Sequence, residues 1–279
     1  MIETVAAPTV LTSTDMDACA LAEVAGGTLA YFTRRAPDKE GVNQDSVAFL
    51  DCGGYAGVLA IADGAGGMRA GEQASRTALE ALMDGVAEGM LRGEPLRDGI
   101  LTGIERANRA VLDLGIGAVT TLAVAEISDH TVRTYHVGDS VILVVGQRGK
   151  IKLQTVSHSP VGYAVEAGVL DEGEAMHHEE RHLVSNFIGT ADMRVEMGSS
   201  LQLAPRDTVL LASDGLADNL RTEEIVAAMR IGALPGPLEQ LVERTTRRML
   251  TEAGEQPCKP DDLSILLYRP GQPRDGGVA

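Results

Sequence analysis

The chain has 279 residues, of which 44% are hydrophobic, and its formal net charge is -16 at pH 7. This apolar content is enough to bury a full core, and one large domain is favoured over two. The negative charge repels nucleic acid and anionic lipid, so we predict no nucleic-acid partner and no membrane association. A phosphate-bearing substrate would need a locally positive, metal-loaded site.

The cysteines and the first residues of the chain indicate the cellular compartment of the protein. Cys19, Cys52 and Cys258 form no CxxC motif and no Cys/His spacing, which argues against disulfides and against a zinc site. No apolar run approaches the roughly 20 residues of a membrane span. Residues 1–21 contain acidic residues and lack the basic segment of a signal peptide. The sequence therefore predicts a soluble, cytoplasmic protein.

The first half of the chain alternates strand and helix patterns. Residues 1–26 lack clear periodicity and are predicted to form a flexible lead-in. The Gly53-Gly54 pair lies between two strand patterns and is typical of a hairpin turn. We predict strands at residues 27–34, 43–51 and 55–62, and helices at about 68–91 and 96–114.

Four strand patterns occupy the middle of the chain, at residues 118–127, 130–137, 140–147 and 150–156. Short turn signals separate them, so consecutive antiparallel pairing is predicted. A polar stretch at 157–189 then interrupts the strand pattern. An insertion of this length in a compact domain is typical of a lid or a binding segment.

The last third of the chain completes a layered fold. We predict strands at 193–203, 207–215 and 261–269, helices at about 222–231 and 237–253, and a disordered tail at 270–279. This order of elements indicates an α+β protein with helices covering two antiparallel sheets, a four-layer α-β-β-α sandwich. The predicted single domain spans residues 27–269.

One stretch of the chain suggests chemistry. The apolar run Val58–Ala62 is typical of a strand buried on both faces, and it ends on Asp63. Four of the next eight residues are glycines, so the backbone can closely approach whatever Asp63 holds. A carboxylate in this position suits a cation or a phosphate. The alternative is a tight turn whose Asp caps the following helix.

Carboxylates recur at the predicted strand ends: Asp45, Asp63, Asp139, Asp214 and Asp261. If these ends meet, the cluster needs cations, because like charges raise one another's pKa. Oxygen ligands without Cys or well-spaced His select Mg²⁺ or Mn²⁺. Two such ions would lower the pKa of a shared water and clamp a phosphoryl group, which predicts metal-assisted phosphoester hydrolysis.

Six motifs, in this order, resemble those of the PPM family of metal-dependent Ser/Thr protein phosphatases, the type 2C phosphatases, in its bacterial form: NQDS, ADGAGG, GAVTTLAV, HVGDS, ASDGLAD and DDLSILL. The resemblance spans about 27–269. It implies hydrolysis of phosphoserine and phosphothreonine in proteins by a metal-activated water, without a covalent intermediate. It also implies a phosphoprotein substrate and a cognate Ser/Thr kinase. The alternatives are a phosphatase dedicated to one phosphoprotein, or a pseudophosphatase that binds phosphoproteins without turnover.

The resemblance also implies site residues and cofactors. The cofactors are Mg²⁺ or Mn²⁺, as two ions with a looser third. The implied catalytic residues are Asp63, Asp214 and Asp261. The implied metal site comprises Asp45, Asp63, Gly64, Asp139, Asp214 and Asp261.

The family pattern gives these residues different roles. Asp63 would bridge both ions, and the carbonyl of Gly64 would join one of them. Asp45 corresponds to an acid that holds metal-bound water, and Asp139 to an acid that helps Asp214 bind the third ion. The insertion at 157–189 corresponds to the family's flap, which influences substrate access, and we call it the flap below.

The chain departs from the family pattern in several places. Gln44 replaces an acid, which indicates tuning of the site. Ala65 replaces a His that acts as general acid in some relatives, and His158 is a candidate for that role. Asp262 stands where Asn is usual, so either Asp261 or Asp262 could be the ligand; the register favours Asp261.

The phosphate-binding residue also departs from the pattern. Glu40 occupies the position where relatives have Arg or Lys. Arg34, Arg35 and Lys39 are all near enough in sequence to substitute, and Arg35 is slightly preferred over Lys39 because a guanidinium binds phosphate in a bidentate manner.

Overall fold

The computed structural model describes residues 6–65, 70–251 and 257–271. Its elements, in chain order, are β1 (Thr9–Thr12), β2 (Ala20–Val24), β3 (Gly27–Arg34), β4 (Asp45–Asp51), β5 (Ala56–Ala65), α1 (Ala70–Leu91), α2 (Leu96–Asp113), β6 (Val119–Thr120), β7 (Leu122–Ser128), β8 (Thr131–Val137), β9 (Val141–Val145), β10 (Ile151–Gln154), α3 (Pro160–Glu166), α4 (Glu172–Met176), β11 (Glu196–Met197), β12 (Leu201–Gln202), β13 (Thr208–Ala212), α5 (Asp214–Ala217), α6 (Thr222–Met229), α7 (Pro235–Leu250) and β14 (Leu263–Arg269).

The strands form two antiparallel sheets. The first has the order β1-β4-β5-β7-β8-β11, with the short strands β6 and β12 paired to β5 and β8. The second has the order β10-β9-β13-β14-β3-β2. The predicted hairpin across Gly53 and Gly54 is present, since β4 and β5 pair in antiparallel register from Asp45 opposite Asp63 to Asp51 opposite Gly57.

Both faces of the central strands are buried, which explains their continuous apolar sequence. In β5, Val58 and Ala60 pack towards the helices, while Leu59 and Ile61 pack between the sheets. In β14 the same alternation makes Ile265 face the helices while Leu266 faces the other sheet. Because side chains alternate along a strand, each central strand contributes to two cores.

Helices cover the outer face of each sheet. Helices α1 and α2 cover the first sheet through residues such as Leu79 and Ile104. Helix α7 covers the second sheet through Leu238 and Leu241. The predicted four-layer α-β-β-α sandwich is confirmed. Among the described residues, none of the helices has the length and hydropathy that a membrane crossing requires.

The beginning of the chain differs from the prediction. Residues 9–12 and 20–24 of the predicted lead-in form β1 and β2, which pair with β4 and β3. These strands are four and five residues long and mix small, acidic and apolar residues, so they give little periodic signal. Residues 1–5 of the lead-in and residues 272–279 of the predicted tail lie outside the described residues.

The middle strands also differ from the prediction. Strands β7 and β8 pair, as do β9 and β10, but β8 and β9 lie in different sheets. The Gly138-Asp139 turn is therefore a crossing between the two sheets and not a hairpin. The predicted strand at 193–203 is reduced to β11 and β12, two short pieces along the edge of β8.

Candidate active site

Asp45 and Asp63 lie directly opposite each other on adjacent strands at one end of the first sheet. Two threonines hold the backbone of Asp63. Its N–H donates to Thr121 Oγ1 at 3.0 Å, and its carbonyl accepts from Thr120 Oγ1 at 2.8 Å. The position of the Asp63 side chain is thereby set by a backbone that is bonded on both sides.

Gly64 follows Asp63 at the point where β5 approaches the first turn of α1. A Cβ atom on Gly64 would lie 2.0 Å from the carbonyl oxygen of Gly71, so only glycine fits here. Two of the glycines that follow, Gly66 and Gly67, lie outside the described residues. The close approach explains part of the glycine-rich sequence after Asp63.

Asp139 is brought to the same end of the sandwich by the crossing between the sheets. Gly138, with a φ of +104°, supplies the left-handed conformation that this turn needs. The hydroxyl of Thr121 lies 2.7 Å from that of Ser140. This contact links the residue that holds Asp63 to the turn that carries Asp139.

Asp214 begins α5 directly after the buried strand β13, and Asp218 follows one helical turn later. Lys259 lies between these acids and Asp261. Its Nζ atom is 2.6 Å from Asp214 Oδ2, 2.7 Å from Asp218 Oδ2 and 3.1 Å from Asp261 Oδ2. One ammonium therefore contacts three carboxylates.

Asp261 and Asp262 have different environments. Asp262 is 3% exposed, and its two oxygens accept from the N–H groups of Ala36 and Gln44 and from Lys39 Nζ. The Asp261 carboxylate is 33% exposed. Its Oδ1 accepts from the N–H of Asp262, while its Oδ2 faces Lys259.

The predicted carboxylates lie near one another: Asp45 is opposite Asp63, Lys259 contacts both Asp214 and Asp261, and Asp139 and Asp214 line one cavity. The pKa of Asp63 is consistent with this arrangement. Burial raises its pKa well above the usual range, and the charges of Asp45, Asp214, Asp261 and Asp139 raise it further. Electrostatic effects of this kind require short distances. The structure thus brings together the five acids that the sequence predicted.

The pKa values of other groups in the cluster are also raised. Burial raises the pKa of Asp45 well above its usual range, with a further contribution from Asp262. Burial and the charges of Asp214 and Asp218 raise the pKa of Asp139 to about 8. For Lys259 burial opposes the charged form, but the surrounding carboxylates outweigh it and hold the pKa above its usual range.

The donor set fits hard divalent cations. Oδ1 of Asp214 is buried without a hydrogen-bond partner among the described residues. The buried oxygens of Asp45 have no partner there in good hydrogen-bond geometry, although the hydroxyls of Ser213 and Ser264 lie near them. Buried carboxylate oxygens without donors are costly unless a cation balances them. Among the described residues, the acids that surround Lys259 and Asp63 offer only carboxylate oxygens, which suits Mg²⁺ or Mn²⁺ and not zinc.

A sequence model of the family described as protein phosphatase 2C matches residues 35–259. The chain belongs to the protein phosphatase 2C family. Protein phosphatase PhpP of Streptococcus pneumoniae is 32% identical to this phosphatase over 183 residues, which cover 60% of this chain and 70% of PhpP. The predicted class, a metal-dependent Ser/Thr protein phosphatase, is confirmed, and the relatives give no support to a pseudophosphatase.

Solved structures agree with the phosphatase fold. A Streptococcus agalactiae serine/threonine phosphatase has a TM-score of 0.73 and 27% identity, and the match covers 87% of this chain and 98% of that one. The catalytic domain of the phosphatase PstP, solved in complex with 2 manganese ions, has a TM-score of 0.67 and 24% identity. That match covers 88% of this chain and 99% of PstP.

The two predicted phosphate-binding residues of the phosphatase lie in different places. Lys39 contacts Asp262 at 2.6 Å and Gln44 at 3.0 Å, beside the carboxylate cluster. The Arg35 guanidinium is 3.2 Å from Asp15 and donates to the carbonyl of Gly41. Arg35 lines a separate cavity of ≈ 420 Å³, and none of the five clustered acids is among the residues that line it.

The flap borders the carboxylate cluster. A cavity of ≈ 380 Å³ separates α3 and α4 from the acids, and its lining includes Asp139, Asp214 and Asp218. His158, the candidate general acid, has partners on both ring nitrogens. Its Nδ1 accepts from the N–H of Gly138, and its Nε2 lies 3.3 Å from a Glu196 oxygen.

Sequence reasoning missed two members of the site, Asp218 and Lys259. The signal for Asp218 is its spacing, because it lies four residues after Asp214 in the motif ASDGLAD. Lys259 lies two residues before Asp261, and nothing local distinguishes it from a surface lysine. Its contacts depend on the tertiary structure.

Proposed function

We propose that this phosphatase uses Asp63, Asp214 and Asp261 to hold two divalent ions, Mg²⁺ or Mn²⁺, for the hydrolysis of phosphoserine and phosphothreonine in proteins. The observation that supports the proposal is the arrangement of these acids: Asp214 and Asp261 share one cation, Lys259, and Oδ1 of Asp214 is buried without a partner among the described residues. The raised pKa of Asp63, to which both acids contribute, agrees with it. Divalent ions bound there would lower the pKa of a water and neutralise phosphoryl oxygens.

Each residue of the cluster contributes a distinct part. Asp63 lies opposite Asp45 and near Asp214 and Asp261, so it would be placed to bridge two ions. The backbone at Gly64 has no side chain in the way, so its carbonyl can approach a cation. Asp45 is positioned by its strand opposite Asp63 and would hold water bound to an ion there.

The hydrogen-bond partners of Asp261 and Asp262 indicate which of the two is the metal ligand. Asp262 already accepts three hydrogen bonds from protein donors, one of them from Lys39, so it serves as an anchor. The carboxylate of Asp261 is partly exposed and faces the cluster, with one backbone N–H on Oδ1 and Lys259 near Oδ2. We therefore assign the ligand role to Asp261.

We assign phosphate binding to Lys39 in preference to Arg35. Lys39 lies beside the cluster through Asp262, whereas Arg35 is paired with Asp15. An ammonium at this place can approach a phosphoryl oxygen as a point charge. This assignment reverses the slight preference that the sequence suggested.

The substrate is a phosphoprotein whose phosphorylated segment enters beside the flap, where the cavity reaches Asp139 and Asp214. A Ser/Thr kinase that phosphorylates the same proteins is the expected counterpart. The cytoplasm is the expected compartment, in agreement with the free cysteines Cys19, Cys52 and Cys258. We expect no nucleic-acid and no membrane partner.

The test is hydrolysis of an aryl phosphate by the full chain with Mn²⁺, with Mg²⁺ and with EDTA. Turnover should require a divalent ion and fall at least ~10³-fold in Asp63→Asn, which removes the bridging charge. Folded protein without turnover at any Mn²⁺ concentration would refute the proposal. A panel of phosphopeptides then separates a general phosphatase from one dedicated to a single phosphoprotein, which would cleave the aryl phosphate but not the peptides.

A further inference from the structure

Lys259 places a positive charge at the point where three active-site carboxylates meet. Its Nζ atom lies 2.6 Å from Asp214, 2.7 Å from Asp218 and 3.1 Å from Asp261, in each case from the Oδ2 atom. The contacts to Asp214 and Asp218 are hydrogen bonds, and the contact to Asp261 is an ion pair. The three oxygens together form a cation position that the protein fills with its own side chain.

The backbone of Lys259 is held in place. Its N–H donates to Asn219 Oδ1 at 2.9 Å, and its carbonyl accepts from Asn219 Nδ2 at 2.8 Å. Asn219 is fully buried, and its Nδ2 also donates to the carbonyl of Gly215. This double contact ties the segment of Lys259 to α5, the helix that begins with Asp214. The ammonium position is therefore built by the fold.

An ammonium at this point is incompatible with a divalent ion on the same three oxygens. Carboxylate oxygens coordinate a divalent ion at about 2.0 to 2.6 Å, so both cations would need the same lone pairs and would lie within contact distance. Two positive charges at ~3 Å repel strongly in a partly buried site. Asp214 keeps its second oxygen, Oδ1, buried and unpartnered among the described residues.

We propose that Lys259 is a tethered cation that takes the place of one divalent ion on the Asp218 side of the active site. This inference rests on the proposed function, because it takes Asp63, Asp214 and Asp261 as ligands of the ions that do bind. Asp214 then serves two cations, with Oδ1 for a divalent ion and Oδ2 for the ammonium. The looser third ion implied by the family resemblance would need Asp214 together with Asp139, and the ammonium already takes the Oδ2 atom of Asp214.

The test counts bound ions. Wild type and the variants Lys259→Met and Lys259→Arg are stripped with EDTA, dialysed and titrated with MnCl₂, and free Mn²⁺ is measured by its electron paramagnetic resonance signal. Lys259→Met should bind about one ion more per chain than wild type, because three carboxylates lose their cation. Lys259→Arg keeps the charge and should match wild type. Lys152→Met is the matched control, since Lys152 pairs with Asp207, which belongs to no part of the cluster.

Thermal unfolding supplies a readout that does not depend on turnover. In EDTA, Lys259→Met should unfold at a lower temperature than wild type, and saturating Mn²⁺ should raise its midpoint by more than it raises that of wild type. If Lys259→Met does not fold in EDTA, Lys259→Gln replaces it.

Two results would overturn the inference: equal Mn²⁺ stoichiometry in wild type and Lys259→Met, or three ions bound by wild type. Failure of the proposed function looks different. In that case wild type binds no Mn²⁺, or Asp63→Asn retains full Mn²⁺-dependent turnover.

Discussion

Asp262 and Lys39 form an ion pair of 2.6 Å, although they lie 223 positions apart in the chain. The pair joins the loop after β3 to the beginning of β14. The side chain of Asp262 is 3% exposed and that of Lys39 is 23% exposed, so the contact lies largely out of solvent. Two backbone N–H groups complete the shell of the Asp262 carboxylate. Its neighbour Asp261 is more exposed, at 33%, and has one backbone donor and the Lys259 ammonium as partners.

Asp262→Asn and Asp261→Asn should therefore separate stability from metal binding. Asp262→Asn replaces one carboxylate oxygen with an NH₂ group, which cannot accept hydrogen bonds from the donors that now surround Asp262. This change should lower the free energy of unfolding by about 2 to 4 kcal/mol. Asp261→Asn should change it by less than ~1 kcal/mol in EDTA and should weaken Mn²⁺ binding. Chemical denaturation in EDTA and a Mn²⁺ titration measure the two effects. Equal destabilisation by both variants would contradict the assigned roles.

The ion-free protein should lose stability as the pH rises from about 4 to about 8, with the dependence on Asp139 levelling off above that. The pKa of Asp139 is raised to about 8 in the folded state, so the folded protein holds a proton that the unfolded chain has released. The stability that this proton supports is lost as the pH rises towards the folded pKa. Thermal midpoints in EDTA measure the slope. Asp139→Asn, which has no titrating carboxyl, should show a shallower slope, and a midpoint that rises with pH would contradict the prediction.

Gly64→Ala should damage both fold and function. The added Cβ would lie 2.0 Å from the carbonyl oxygen of Gly71, which forces β5 away from α1 and costs roughly 1 to 3 kcal/mol of unfolding free energy. Mn²⁺ affinity should fall with it, because the Gly64 carbonyl moves. Gly236→Ala in α7 is the matched control, since its Cβ meets no atom within 4 Å. If Gly64→Ala keeps the stability and the Mn²⁺ affinity of the wild type, the close contact between Gly64 and Gly71 is not required.

Lys39→Met should raise KM for an aryl phosphate by roughly tenfold and weaken inhibition by inorganic phosphate, with a smaller effect on kcat. Arg35→Met should change KM by less than about twofold, because the guanidinium faces Asp15. Steady-state kinetics at saturating Mn²⁺ measure both variants, and unfolding curves show whether each is folded under assay conditions. A larger KM effect from Arg35→Met would return phosphate binding to Arg35.

Much of the fold could be predicted because its signals are local. The strand at 27–34 has the predicted bounds, and the hairpin across Gly53-Gly54 needed only two strand patterns and a turn. The five clustered acids each follow or begin an apolar run, so the sequence of each strand alone predicts that its acid lies at the strand end. Strands of two residues, such as β11, carry too short a pattern to be predicted.

The chain order of strands, helices and carboxylates was determined by the sequence alone, because periodicity and turn residues act over a few positions. Only the tertiary structure decided that β8 and β9 belong to different sheets, which places Asp139 in the cluster. It also decided that Asp262 is an anchor and that Lys259 lies among three acids. The physical reason is that burial and ion pairing depend on groups that are distant in the chain and meet only when the two sheets pack.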